Sequence, residues 1–368
     1  PTLGIGNFTG TLMADGCGFD PLDPASWLTA NADVKHLDLD DAHIGECRAS
    51  VSMAEGIGEG EFALNSDYLC GEGTLIFDLT EQIRMTLDGD FDPINLKKIA
   101  GMQDSLLLGT SLHLQAYTDT EFTDFGVKGQ LANNRFLTAK NGFTAKDVDF
   151  DFSTNINNTL LKAGVGDMKM DAAIVSSLED VMGVVSGLKD ELVAQLKQKD
   201  FNQIRIKHAL PTLDLTLNVG TDNPVSNILR LKGYAFADAH LSLSTDTLQG
   251  INGTGYLKGV KMADFGVEDI ALTIGQNERG ISLDIQAGNK SKSYGPQFDA
   301  QAHGYLYDED AGVELVVADG QGRKGIDLGV KALLEEGGLR AHFYPERPIL
   351  VCTHFNLNDN NYLYLGQK

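Results

Sequence analysis

Three aspartates in "DVDFDF", Asp147, Asp149 and Asp151, alternate with apolar residues. On an extended strand they share one face, where carboxylate oxygens could gather around calcium. The stretch lacks the sixth-position Gly and twelfth-position Glu of a helix–loop–helix calcium site, so it reads as a solvated strand face. "DFG" occurs at Asp124 and again at Asp264. A protein kinase uses that Asp to hold magnesium, but its Gly-rich loop, strand lysine and catalytic loop are missing, so both copies read as turn-to-strand junctions. His36, His43 and Cys47 are zinc-ligand types close in sequence, and surface strand and turn positions account for them as well. "GIGNFTG" and "AEGIGEGEF" are Gly-rich without sitting between a strand and a helix, as a phosphate loop requires. No Gly-x-Ser-x-Gly elbow is present. Carboxylates are plentiful enough for a glycosidase pair, whose defining separation a sequence does not give. Cys17, Cys47, Cys70 and Cys352 form no CxxC pair and leave both pairing and compartment open. The residues therefore assign no catalytic group, no metal ligand and no cofactor.

The elements that carry these residues follow a period of two. "LDLTLNV" puts Leu213, Leu215, Leu217 and Val219 on one face, and "HLSLST" does the same with Leu241 and Leu243. "ISLDIQA" gives Ile281, Leu283 and Ile285, and "GVELVVA" gives Val313, Leu315 and Val317. "TLIFDLT", "IRMTLDGDF", "SLHLQAY" and "VDFDFSTNI" precede them, and "HFYPERPILVCTHFNLNDNNYLYLG" closes the chain with Ile349, Val351, Phe355 and Leu357 expected on one side of a strand. Such segments are half buried, and Gly, Asn and Asp separate them every ten residues or so. The pattern predicts an all-β, mostly antiparallel chain of about 19 strands at that spacing.

Two helices interrupt it. In "DPINLKKIAGM", Asp92 and Pro93 are expected as N-cap and first helical residue. "SSLEDVMGVVSGLKDELVAQLKQK" repeats apolar residues at three and four, from Leu178 through Val181, Met182, Val185, Leu188 and Leu192 to Leu196. Ser176 and Glu179 are expected as its capping box, with Lys197 and Lys199 at its end. The domain reading is 1–172, the helical 173–200, then 201–368. "TDFGVKGQL" and "ADFGVEDIAL" echo one another, which suits a fold built from similar strands.

The 368 residues carry a formal charge of −23 with 42% hydrophobic residues. That charge argues against nucleic acid and anionic membrane surfaces as partners. No apolar run reaches the roughly 20 residues of a membrane span. The chain opens on Pro1 and is read as an internal segment of a longer protein. Its apolar strand faces have two readings. One is the inside of a sandwich packed on a second sheet. The other is a curled, open trough that meets a ligand, favoured by small residues such as Ala235, Ala237, Ala239, Ala300 and Ala302. Candidate lining residues of the trough are Leu213, Leu215, Leu217, Val219, Leu241, Leu243, Ile281, Leu283, Ile285, Phe298, Val313, Leu315, Val317, Val351, Phe355 and Leu357.

"FYPERPILVCTHFNLNDNNYLYLG" resembles a segment of TamB-like translocation and assembly module proteins of Bacteroidetes. "ADGCGFDPLDPAS" and "LNVGTDNPVSNIL" resemble other stretches of the same proteins, in the same order. The resemblance implies a β-taco, an elongated, mostly antiparallel sheet around an apolar groove with the helix inserted. It implies a periplasmic location in a protein anchored in the inner membrane and reaching an outer-membrane Omp85-type barrel through regions outside this segment. The function it implies is non-enzymatic carriage of phospholipid acyl chains between membranes, as in AsmA-like relatives, linked to outer-membrane assembly and protein secretion. A structural scaffold that templates outer-membrane strands at the sheet edge is the alternative.

Overall fold

Alternating segments of this kind form strands because each strand can bury one face and wet the other. The computed structural model describes all residues except 1–4, 40–41, 44, 101–104, 139–140, 199–201, 263–264, 309, 336–337, 359 and 367–368. The chain divides into two units, residues 1–156 with 160–166, and residues 157–159 with 167–368. Lys199 and Asp264 lie outside the described residues.

The first unit contains β1 (Ile5–Cys17), β2 (Trp27–Leu39), β3 (Ala42–His43), β4 (Glu46–Ala54), β5 (Ile57–Asn65), β6 (Leu69–Asp78) and β7 (Ile83–Asn95). There follow α1 (Leu96–Ala100), β8 (Leu106–Thr118), β9 (Phe125–Thr138), β10 (Gly142–Thr144), β11 (Val148–Thr154) and β12 (Thr159–Val165), whose first residue belongs to the second unit. The strands pair antiparallel in the order β1, β2, β4, β5, β6, β7, β8, β9, with β10 and β11 on β9. β9 opens at Phe125, so the first "DFG" is a turn-to-strand junction. Asp92 and Pro93 do not start a helix. They lie within β7, and α1 begins four residues later, capped by Asn95, whose Oδ1 accepts the Lys98 N–H at 3.2 Å. Proline at a strand irregularity, where β7 shifts register, loses no ladder bond and explains the difference.

The second unit begins with β13 (Met168–Ile174), α2 (Leu178–Gln198), α3 (Gln203–His208), β14 (Leu213–Val219), α4 (Pro224–Leu231) and β15 (Tyr234–Ala235). It continues through β16 (Asp238–Asp246), β17 (Gly250–Met262), β18 (Phe265–Asn277), β19 (Gly280–Asn289), β20 (Phe298–Tyr307), β21 (Asp310–Asp319), β22 (Lys324–Glu335), β23 (Gly338–Leu350), β24 (Thr353–His354) and β25 (Tyr362–Gly366). From β16 to β23 every strand pairs antiparallel with the next, β13 and β14 extend one side, and β25 lies on β23.

The long helix forms where its pattern predicts, with its cap one residue later than expected. Ser177 Oγ accepts the Asp180 N–H at 3.1 Å and donates to the Asp180 carboxylate at 2.8 Å. Of its described apolar stripe only Val181 is buried, while Leu178, Val185 and Leu192 are exposed. Its anchor is polar. Gln195 is fully buried, donates to Glu191 and to the Asn202 carbonyl, and accepts the Asn202 N–H at 2.9 Å. Asn202 then caps α3 by accepting the Arg205 N–H, and Ile206 and Leu210 are buried.

The C-terminal segment departs from expectation. Ile349 and Val351 do not continue into a strand with Phe355. Val351 and Cys352 form a two-residue turn, both with positive φ (48° and 59°), and Ile349 faces His354 across it. Val351 stands 81% exposed at the tip, and Phe355 and Leu357 follow β24 outside any strand. A β-branched residue at positive φ carries no turn signal, which is why the sequence reads as continuous strand. Asn-Gly is the pair this turn prefers. Val351→Asn with Cys352→Gly is expected to raise stability by about 1 kcal/mol, read as a higher urea midpoint at unchanged slope.

Glycines inside strands meet aromatic rings. Gly58 lies opposite Phe77, Gly71 opposite Phe91 and Gly129 opposite Phe150, and a Cβ at any of them would overlap the ring. Gly126 lies likewise under Tyr117, Gly312 under Tyr305 and Gly329 under Tyr344. The ring covers backbone that the glycine leaves bare.

Candidate functional site

Cross-strand partners in an antiparallel sheet point to the same face, so register assembles the rows. In the second unit one row runs Leu215, Leu243, Gly253, Ile274, Leu283, Gly304, Val313, Val330, Phe343. The next runs Leu217, Leu241, Gly255, Leu272, Ile285, Ala302, Leu315, Leu328. A third runs Val219, Ala239, Leu257, Ile270, Ala287, Ala300, Val317, Ile326. None of these side chains is polar or charged. The structure therefore brings Leu215, Leu217, Val219, Leu241, Leu243, Leu283, Ile285, Val313, Leu315 and Val317 onto one face. Leu213, Ile281 and Phe298 share it by alternation along β14, β19 and β20. Val351, Phe355 and Leu357 are not in these rows.

The face is not sealed. Among the described residues the buried apolar side chains are Val34, Val181, Ile206, Leu210, Val219 and Val267, so Val219 is the one lining candidate that is buried. Val313 is 60% exposed beside Gly304, where a side chain would meet only distant backbone. A face interdigitated with a second sheet would bury these residues as a core does. At the Leu213 end of β14 the face is bordered by α3. Gln203 donates to the Leu306 carbonyl, accepts from Gln276 Nε2 at 3.3 Å, and its N–H reaches Asp308. At the other end, α4 is tied to the β12–β13 turn through Asn223. Its amide is fully buried, donates to Asp167 Oδ1 at 2.8 Å and to the Gly220 carbonyl, and accepts the Ser226 N–H.

Burial alone would push the Asp167 carboxyl up; the Asn223 amide and the Asp222 N–H outweigh it and hold it below the ordinary carboxylate range. A carboxyl lowered by folding adds stability above its unfolded value, near 3.9 as a typical figure, and that stability is lost as pH falls through the folded value. Asp167→Asn should therefore show a shallower loss of urea midpoint on acidification below about pH 4 than the unaltered chain.

The first unit carries an equivalent face that the lining candidates missed. Its rows include Leu12, Ala32, Ala49, Phe62, Gly73, Gly89, Leu112, Leu131, Val148, and Ala14, Ala30, Val51, Gly60, Leu75, Leu87, Leu114, Gly129, Phe150. A third includes Leu28, Met53, Phe77, Met85, Val127 and Phe152. Again no residue is charged. Cys47 continues this face between Val34 and Leu64, and burial pushes its thiol up. The signal was present as alternation, diluted by glycine and alanine.

No family model, no curated protein and no solved structure matches this chain. Its function has to be read from the two faces themselves.

The opposite face is wet and acidic. Asp149 and Asp151 stand exposed on β11, as expected of a solvated strand, and the Asp147 carboxylate accepts the Asn133 N–H. His113 Nδ1 sits 2.6 Å from Asp88 and His303 Nδ1 2.7 Å from Asp284, each pair directly opposite in register. A depression of about 700 Å³ lies on this face of the first unit, lined by Asp33, Arg48, Glu61, Glu72, Asp88 and Asp90 among others. Among the described residues no group of three His, Cys, Asp or Glu side chains is arranged to hold a metal ion. Tyr305 and Tyr344 lie here over their glycines, and burial raises both phenols. No described helix is long and apolar enough to cross a membrane.

Proposed function

We propose that the three charge-free apolar rows shelter phospholipid acyl chains, and that the chain is a non-enzymatic conduit between two membranes. The observation that carries this reading is the run of three unbroken apolar rows from β14 to β22, left half exposed. Exposing an acyl chain to water costs about 0.8 kcal/mol per methylene, roughly 13 kcal/mol for sixteen carbons. A continuous lining offsets that cost at every position, while the headgroup stays in water. Rows of similar side chains give no position a strong preference, which suits passage. The sequence resemblance to TamB-like proteins agrees: curling of the sheet into a taco-like groove, a periplasmic location, an inner-membrane anchor and an Omp85-type partner belong to the same proposal.

A scaffold that templates strands at its edge is the second reading. It is favoured by β25, a short strand paired only with β23 among the described residues, with Tyr362, Leu363 and Tyr364 exposed. One experiment separates the two. Photo-crosslinkers placed at Leu283 and Leu315 should capture phospholipid, identified by mass spectrometry. Capture of protein at Tyr364, with no lipid at either interior position, would replace the conduit by the scaffold.

A further inference from the structure

We propose that a hollow on the wet face of the first unit, built by β7, β8, β9 and β11 around Tyr117, binds a neutral carbohydrate. The hollow measures about 620 Å³. Small-molecule sites occupy roughly 300–1,000 Å³. Tyr117 supplies its aromatic surface. It stands between Arg84 and Gly126 in register, and a Cβ at Gly126 would strike Cε1, Cζ and Oη of its ring. The ring is thus held against bare backbone while the residue lines the hollow. Phe77, Phe91 and Phe150 also cover glycines, but on the apolar face. Tyr117 is set among polar side chains instead.

The next row of the same face crosses the four strands as Thr86, Gln115, Lys128 and Asp151. These four line the hollow with Gln82 and Arg84, and Arg84, Gln115, Lys128 and Asp151 are exposed. Cations and carboxylates balance to within one charge. Arg84 lies opposite Asp78 and Lys128 opposite Asp151, and Asp124 is close enough to Tyr117 to act on its hydroxyl. Asp78 already accepts the Thr80 N–H at 2.9 Å and the Thr80 hydroxyl at 2.7 Å. Burial first, and then the Asp124 and Asp151 carboxylates, push the Tyr117 phenol up, so it keeps its proton and can donate at neutral pH.

A sugar ring has two kinds of surface. Its C–H bonds are slightly positive and suit the negative face of an aromatic ring. Its hydroxyls both donate and accept, so they need donors and acceptors together around that face. Arg84 and Lys128 only donate, Asp151 only accepts, and Gln82, Thr86 and Gln115 do both. An anion would be repelled by Asp151, and a cation by Arg84 and Lys128. An acyl chain would strip water from all six polar side chains and give nothing back. Covering Gly126 accounts for the ring, but not for the mixed donors and acceptors gathered about it. The hollow lies on the face opposite the apolar rows, so the proposal does not depend on lipid occupying them.

The test is saturation-transfer NMR on the whole chain, with maltose, cellobiose and N,N′-diacetylchitobiose as probes. At least one disaccharide should receive saturation, strongest on the C–H protons of one sugar face. Tyr117→Ala should weaken its binding by about tenfold, whereas Tyr117→Phe, which keeps the ring, should retain most of it. Gln115→Ala, at an exposed position, should also weaken it by about tenfold. An unchanged urea midpoint in that variant separates a lost contact from a lost fold. No transfer to any of the three probes overturns the proposal. So does binding indifferent to both Tyr117→Ala and Gln115→Ala, which would put the sugar elsewhere. Displacement of the sugar by inorganic phosphate overturns it too, because the hollow would then be an anion site.

Discussion

Leu283→Asp should cut the phospholipid recovered with the purified chain by at least about tenfold while lowering stability by only about 1 kcal/mol. Leu283 stands mid-row between Ile274 and Gly304, half exposed, so the fold has little packing to lose there. The lipid has much more to lose. A carboxylate pressed against methylenes must shed water without gaining a partner, and none of the three apolar rows supplies a donor. Quantitative lipid extraction checks the first half and urea unfolding the second. The polar-face variant Asp284→Ala, one residue away, should leave the recovered lipid unchanged. Equal recovery from L283D and the unaltered chain would remove the apolar rows from any transport role.

Gln203→Ala should cost about 2–4 kcal/mol, more than any surface substitution in the second unit. Gln203 is 4% exposed and ties α3 to two strands at once. Its removal leaves the buried Gln276 amide without its acceptor and the Leu306 carbonyl without this donor. Buried polar groups that lose a partner keep the full desolvation cost. The drop should appear as a lower urea midpoint, with faster hydrogen exchange at Arg205 to Ala209. An unchanged midpoint would mean that α3 is not seated by this contact.

Alternation was enough to place the strands, because side-chain parity is a local property. Leu213 to Val219 and Ile281 to Ile285 are found as read. Local irregularities were less legible. Among the described residues there are 25 strands, against about 19 from the turn rhythm, because pieces as short as Ala42–His43 and Thr353–His354 have no period to detect. The Val351–Cys352 turn had neither glycine nor asparagine to announce it. The cap of α2 slipped from Ser176 to Ser177 because either serine satisfies the same pattern with its own acid three residues on. Shared faces were only half legible: parity says that Leu215 and Leu217 agree, while turn lengths decide that Leu215 meets Leu243.

From β17 to β22 every strand leans on the one made just before it and the one made just after. Such a ladder can be assembled in the order of synthesis, each rung docking on a finished template, without waiting for a distant stretch of chain. Under tension it would give way like a zip, one rung at a time, and a single-molecule pulling trace of this unit should show a train of small, evenly spaced releases in place of one abrupt rupture.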